Sequence, residues 1–69
     1  MEDYLLSVSE TAKRLKTNRN FIYELINKKL LIAIKLGSLK VRNSEINRFL
    51  KENDGKDLTD LENIKELQN

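Results

Sequence analysis

The sequence predicts a small α+β domain made of three short helices and a two-stranded β-hairpin. Two helix starts are marked by capping residues, Ser7 with Glu10 and later Asn18, each followed by apolar side chains at helical spacing. Gly37-Ser38 then separates two apolar stretches, as the two-residue turn of a hairpin does. A chain of 69 residues has room for one domain at most.

The first helix is expected to begin after Ser7 and to end near Leu15. Ser7 and Glu10 have the S-x-x-E spacing in which each side chain accepts a hydrogen bond from the other residue's backbone N–H. Val8, Ala12 and Leu15 recur at i, i+4 and i+7, so they form one buried stripe.

The second helix is expected to begin after Asn18, a good N-cap residue. Ile22, Leu25 and Ile26 give its buried stripe, with Phe21 half-buried beside them. Two helices of this length, joined by a turn of three or four residues, match the helix-turn-helix unit. The side chains that face away from the stripe are Arg19, Asn20, Tyr23, Glu24 and Asn27, and the expected last turn holds Lys28 and Lys29.

The hairpin is expected to turn at Gly37-Ser38, which fixes its register. The expected cross-strand pairs are Leu36–Leu39, Lys35–Lys40, Ile34–Val41 and Ala33–Arg42. This register puts the four large apolar side chains on a core face and the three cations, Lys35, Lys40 and Arg42, on the other face.

A short extended strand is expected over residues 4–6, before the first helix. The third helix is expected over about residues 44–52, with Asn43 or Ser44 as its cap and Gly55 in a left-handed conformation after its end. Its expected buried side chains are Ile46, Phe49 and Leu50.

The sequence divides into a winged domain over residues 4–52 and an acidic C-terminal tail over residues 53–69. Thr59 and Glu62 have capping-box spacing, which allows a fourth helix in the tail. The tail leucines and isoleucine recur every three residues, which gives only a weak stripe. A frayed tail, a tail packed on the domain and a tail ordered by a partner all fit this pattern, and we expect folding to survive without residues 56–69.

The charge is distributed unevenly along the chain. Residues 4–51 hold eleven Lys and Arg against three acids, a net charge of +8, whereas residues 52–69 hold two lysines against six acids, a net charge of −4. A basic body favours a polyanionic partner, although a solvated lysine-rich surface would give the same count.

The residue types that are missing exclude several kinds of site. Without cysteine or histidine the chain lacks disulfides, Cys/His zinc sites, a thiol nucleophile and the usual catalytic base. Its two glycines stand outside phosphate-loop and dinucleotide motifs. We therefore expect no catalytic residues, no metal, no cofactor and no enzymatic activity. The longest apolar run, residues 30–34, is too short for a bilayer, so we expect no membrane association and a cytoplasmic location.

Three segments resemble the excisionase family of MerR-like winged helices. Residues 7–15 resemble its first helix, residues 17–26 its recognition helix, and residues 30–50 its wing and following helix, so that the similarity covers roughly residues 5–51. The chain departs from the family at Ser38-Leu39, where a basic pair is usual. It also departs by being about one residue shorter between Gly37 and Ile46.

The resemblance implies a protein that binds double-stranded DNA with its second helix in the major groove and its wing in the adjacent minor groove. Excisionases assemble cooperatively on repeated sites, bend the DNA and direct a tyrosine or serine integrase, without catalysis of their own. The expected recognition residues are Thr17, Asn18, Arg19, Asn20, Tyr23 and Asn27, and the expected wing and phosphate contacts are Lys16, Lys28, Lys35, Ser38, Lys40 and Arg42.

Two alternatives remain open from the sequence. A small transcriptional regulator of a phage or mobile element would use the same fold, although the long dimerisation helix and effector domain of MerR-type activators have no counterpart here. A protein-binding adaptor would use its tail and apolar faces, and would not bind duplex DNA in a salt-dependent way.

Overall fold

A computed structural model describes residues 3–67 of the chain, so that residues 68 and 69 of the predicted tail lie outside this range. The elements follow in the order β1 (Leu5–Ser7), α1 (Val8–Arg14), α2 (Arg19–Asn27), β2 (Ile34–Leu36), β3 (Ser38–Arg42), α3 (Asn43–Asn53), β4 (Lys56–Asp57) and β5 (Lys65–Glu66). The predicted α+β class, three helices with a hairpin wing, is confirmed. β1 adds to the hairpin an outer strand, which gives a three-stranded antiparallel sheet in the order β1-β3-β2.

Both predicted helix starts are confirmed. The Ser7 hydroxyl accepts a hydrogen bond from the Glu10 backbone N–H at 3.1 Å, and the Glu10 carboxylate accepts one from the Ser7 backbone N–H at 2.8 Å. The Asn18 side-chain oxygen accepts from the Phe21 backbone N–H at 2.8 Å. Local capping chemistry therefore sets where α1 and α2 begin.

The two helices end earlier than expected. α1 ends at Arg14, with Leu15 as its C-cap. α2 ends at Asn27, so that Lys28 is its C-cap and Lys29 lies beyond it instead of in its last turn.

A Schellman motif closes each of these helices. At the end of α2 the backbone N–H of Leu30 donates to the Leu25 carbonyl at 2.9 Å, and that of Lys29 donates to the Ile26 carbonyl at 3.0 Å. Lys29 has a φ of 61°, and Lys16, at the corresponding position after α1, has a φ of 58°. Both lysines thus adopt the left-handed conformation that glycine usually supplies.

The hairpin register differs from the prediction by one residue. Gly37 alone, with a φ of 80°, separates the paired residues Leu36 and Ser38. All four expected cross-strand pairs are wrong, because the observed pairs are Leu36–Ser38, Lys35–Leu39 and Ile34–Lys40. Since side chains alternate between faces, a slip of one residue moves β2 to the opposite face relative to β3.

The position of Leu31 explains this slip. Leu31 is 1% exposed and belongs to the core, whereas Ile32 is 64% exposed. Side chains of an extended chain alternate between faces, so Leu36 lies on the same face as Ile32 and is 59% exposed where the sequence predicted a core position. One leucine at the entrance to the wing therefore sets the phase of the strand that follows.

α3 is capped by a residue from far away in the sequence. The expected caps, Asn43 and Ser44, are wrong: Arg42 occupies the N-cap position and its side chain makes no capping hydrogen bond. The Asp3 carboxylate instead accepts from the Ser44 backbone N–H at 3.0 Å and from the Ser44 hydroxyl at 2.6 Å. These bonds lower the pKa of the Asp3 carboxyl below its usual value.

The buried face of α3 is narrower than predicted. Ile46 and Phe49 are buried as expected, but Leu50 is 40% exposed. Gly55, after the helix, has the expected positive φ, at 81°. The core of the molecule consists of Leu6, Val8, Ala12, Ile22, Leu25, Leu31, Val41, Ile46 and Phe49.

The tail forms a small hairpin instead of the extra helix that its capping-box spacing allowed. Strands β4 and β5 pair with each other, and the Thr59 backbone N–H donates to the Asp57 carboxylate at 2.9 Å in place of the expected capping box. Leu58 and Leu61 pack against the core. Apolar residues spaced by three do not share one face of a helix, so a helix would not bury them together. The hairpin instead lets Leu58 and Leu61 pack against the core. Within residues 3–67 no helix is long and apolar enough to cross a membrane.

Candidate nucleic-acid interface

The exposed face of α2 carries three of the predicted recognition residues. Asn20, Tyr23 and Asn27 are spaced i, i+3 and i+7 and all are exposed. They lie opposite Ile22 and Leu25, which are fully buried. The core contacts of α2 therefore present these polar side chains to solvent on a rigid helix.

Arg19 and Tyr23 lie beside the wing tip. Together with the start of α1 they line a shallow groove of about 150 Å³. The other residues that line it are Ser7, Val8, Ser9, Ser38 and Leu39. The fold thus brings together the predicted residues Arg19, Tyr23 and Ser38, which come from two elements.

The turn between α1 and α2 exposes Lys16, Thr17 and Asn18. The left-handed backbone of Lys16 turns the chain towards α2. The Asn18 side-chain oxygen is committed to the helix cap, so only its amide N–H₂ is free to donate to a ligand.

The three cations of the wing do not share a face, contrary to the prediction. Lys40 and Arg42 alternate with Val41 on β3, so they lie on one face of the sheet. Lys35 pairs with Leu39 and therefore lies on the opposite face, the one to which the groove residue Leu39 belongs.

Lys40 and Arg42 also have acidic neighbours. An Arg42 guanidinium nitrogen lies 4.0 Å from the Asp3 carboxylate. Lys40 is half-buried and contributes to the lowered pKa of Glu10, whose main cause is the hydrogen bond from the Ser7 backbone. Part of the positive charge on this face is thus balanced within the chain.

The tail lies beside the C-terminal end of α2. Lys28 forms an ion pair with Glu62, and Asn27 and Lys28 line a groove with residues 59–62. These two predicted contacts are therefore separated from the Arg19 groove and face acidic side chains.

Sequence reasoning did not identify Arg48 and Glu45 as a structural pair. Two guanidinium nitrogens of Arg48 donate to the Glu45 carboxylate, and a third bond from Arg48 reaches the Leu30 carbonyl at 3.1 Å. The pair lowers the pKa of Glu45 and raises that of Arg48. The i, i+3 spacing of opposite charges could have indicated the pair of Glu45 with Arg48. No sequence pattern indicates the hydrogen bond from Arg48 to the Leu30 carbonyl.

The chemistry available at the start of α2 is hydrogen bonding to a polyanion and to base edges. Arg19 offers a planar fork of donors and Asn20 offers both a donor and an acceptor. Within the described range of residues 3–67, no group of acidic side chains is arranged to hold a metal ion.

Comparison of the chain with known protein families identifies one family to which it is similar. Residues 5–54 match the family described as a helix-turn-helix domain, and this match spans both helices, the wing and α3. Neither a curated protein nor a solved structure matches the chain. Proteins with this domain bind double-stranded DNA through the second helix, the element that carries Arg19, Asn20 and Tyr23 here. The chain belongs to this helix-turn-helix family of DNA-binding domains.

Proposed function

We propose that this protein is an excisionase-type DNA-binding factor with a MerR-like winged helix, which assembles on attachment-site DNA, bends it and directs an integrase. It acts by binding, without catalysis, in the cytoplasm of a bacterial host where phage or mobile-element DNA resides. The resemblance of residues 7–15 and 17–26 to excisionases supports this role, and a small transcriptional regulator with the same fold is the alternative.

The observation that carries the proposal is the convergence of α2 and the wing tip. Arg19 and Tyr23 share one groove with Ser38, so a duplex that contacts the start of α2 also meets the wing. In this arrangement Arg19 reads guanine and Asn20 reads adenine in the major groove, each with about 1–3 kcal/mol of discrimination.

The cations around the groove hold the phosphates. Lys16 precedes α2 and is exposed, and Lys35 lies on the groove side of the wing. Such contacts fix the position of the protein on the duplex without reading sequence.

Self-association on adjacent sites is supported by two exposed apolar side chains on the face of the wing opposite the groove, the face that also carries Lys40 and Arg42. Ile32 is 64% exposed and Leu36 is 59% exposed. Apolar side chains exposed on one face in this way occur in surfaces that contact another protein.

The test is a footprint of the purified protein on the DNA that surrounds its own gene, together with fluorescence anisotropy on the site found. Protected repeats at an attachment site, with bending, are expected. Protection confined to a promoter would instead support the transcriptional regulator, and the absence of duplex binding at low salt would leave the protein-binding adaptor.

The same assay separates the roles of the residues. Arg19→Ala and Asn20→Ala should each reduce the preference for the specific site by roughly tenfold or more. Lys35→Ala should weaken specific and random duplexes alike and reduce the slope of log affinity against log salt by about 0.9. Arg42→Ala, which removes a cation from the opposite face, is the matched control and should change the slope less. Equal effects of Lys35→Ala and Arg42→Ala would contradict this orientation of the wing.

A further inference from the structure

We infer that the acidic tail limits non-specific DNA binding. Glu62 does so by neutralising the positive charge of Lys28, which lies at the C-terminal end of the recognition helix. This inference rests on the proposed DNA binding and adds to it a device that raises specificity. It assigns a role to the tail, which the family match over residues 5–54 leaves outside.

The contact between the tail and α2 is direct. The Lys28 ammonium and the Glu62 carboxylate form an ion pair, and both side chains are largely exposed, at 46% and 69%. A groove of about 340 Å³ beside them is lined by Glu24 and Asn27 of α2 and by Thr59, Asp60 and Leu61 of the tail. The acids Glu24 and Asp60 therefore line the same groove as the pair of Glu62 with Lys28 at the end of the helix.

The tail is held in this position by its own structure. The Leu67 backbone N–H donates to the Gly55 carbonyl at 2.7 Å, and Leu58 and Leu61 pack against the core. Asp57 accepts from the Thr59 backbone N–H and, at 2.6 Å, from its hydroxyl. Glu62 is thus placed by a hairpin that its own hydrogen bonds hold together and that two leucines attach to the core.

The electrostatic consequence falls on phosphate contacts. A phosphate that approaches Lys28 must displace Glu62 and is repelled by Asp60 and Glu24. The gain from counterion release at this end of α2 is therefore lost, while Arg19, at the other end, keeps its access to DNA. Non-specific affinity, which depends on phosphate contacts, falls more than base recognition does.

The experiment compares Glu62→Gln with the wild-type full chain by fluorescence anisotropy on the specific site and on a random duplex, over a salt series. Release of Lys28 to one phosphate should steepen the slope of log affinity against log salt by about 0.9, and should raise random-duplex affinity at low salt by roughly threefold or more. The ratio of specific to random affinity should fall. Circular dichroism checks that the exposed substitution leaves the fold unchanged.

Glu66→Gln is the matched control, because it removes the same charge from the same tail at a residue outside the α2 groove. It should have less effect than Glu62→Gln, and in a Lys28→Gln background Glu62→Gln should lose its effect. Equal effects of the two glutamate substitutions, or none from Glu62→Gln while the wild type binds, would overturn the inference alone. Failure of every variant to bind duplex DNA at low salt would overturn the proposed function and this inference with it.

Discussion

At the scale of single residues, Glu45 joins α3 to the segment that leads into the wing. Its carboxylate accepts from the Ile32 backbone N–H at 2.9 Å and from Arg48 Nε at 2.8 Å. The side chain is 14% exposed, so these bonds are shielded from water more than those of a surface pair. Arg48 also donates to the Glu52 carboxylate at 2.7 Å, which extends the network along α3.

The stability of the protein should depend on pH through this carboxylate. Hydrogen bonds from Arg48 and Ile32 hold the folded pKa of Glu45 below its usual value of 4.5, so the folded state binds the proton more weakly than the unfolded chain does. The stabilisation is therefore complete above the unfolded value and is lost as the pH falls below it through the folded pKa. Glu45→Gln should lower the free energy of unfolding near neutral pH by about 1–2 kcal/mol.

Thermal unfolding followed by circular dichroism between about pH 7 and pH 3 checks this. The Tm of the Glu45→Gln variant should fall less steeply below pH 4.5 than that of the wild type. Asp3 and Glu10, whose pKa values are also lowered, leave a residual fall in both proteins. Parallel curves would exclude Glu45 as a source of the pH dependence.

Residue roles were predictable from the sequence only where the partner is close in the chain. The capping pair Ser7 and Glu10 is separated by three residues, and its two hydrogen bonds were expected. Asp3 caps α3 through Ser44, which lies 41 residues away, and no local pattern marks that contact. The bond between Arg48 and the Leu30 carbonyl was not predictable for the same reason, because the two residues lie far apart in the sequence.

At the scale of elements, the helices were predictable and the phase of the wing was not. The apolar stripe of α2 gave its buried face, because the stripe is a property of that helix alone. In the wing, Leu31 and Ile32 both suit a core position, and the choice of Leu31 depends on how every element packs around it. The groove that Arg19 and Ser38 share depends on that packing, so its geometry was not predictable from the sequence. Its residues Arg19, Tyr23 and Ser38 were predicted individually, because each prediction needed only the local sequence.

The ends of α1 and α2 offer a direct test of backbone strain. Lys29 adopts a φ of 61°, where a side chain costs about 1–2 kcal/mol relative to the right-handed conformation. Lys29→Gly should raise the free energy of unfolding by about 0.5–1 kcal/mol after the extra freedom of glycine in the unfolded chain is subtracted. This corresponds to a rise in Tm of roughly 2–8 °C, measured by thermal unfolding.

Lys29→Ala is the control for that substitution, because alanine removes the charge but keeps a Cβ atom in the left-handed conformation. Its Tm should stay near that of the wild type. An equal rise for alanine and glycine would assign the effect to the lysine charge and not to the backbone.

At the scale of the whole molecule, the tail is packed on the body instead of being separate from it. Leu58 and Leu61 contact the core, and Glu62 pairs with Lys28. The charge division of the sequence, a basic body and an acidic tail, predicted that the two carry opposite potentials. It could not predict where the acids lie, because that depends on tertiary contacts of two leucines with weak periodicity.

Because Leu58 and Leu61 pack against the core, we now expect that removal of residues 56–69 would destabilise the fold, in contrast to the expectation from the sequence. Leu61→Ala should lower the free energy of unfolding by about 1–2 kcal/mol, since a half-buried leucine loses part of what a fully buried one contributes. Leu67→Ala is the matched control, because Leu67 is 62% exposed and its loss should leave the Tm unchanged. A Tm and a denaturant midpoint for Leu61→Ala equal to those of the wild type would show that Leu61 adds nothing to the core.

The pairing of β1 with β3 governs how the chain reaches this structure. Leu6 of β1 lies opposite Val41 of β3, so the first strand joins the sheet only after the intervening chain has closed into a long loop. The helices and the β2–β3 hairpin depend on neighbours close in sequence and form on the microsecond scale. Loop closure costs entropy before the contacts of β1 are gained, so it is the slower event. We therefore expect the pairing of these three residues near the beginning of the sequence, and not the formation of the helices, to limit the speed of folding.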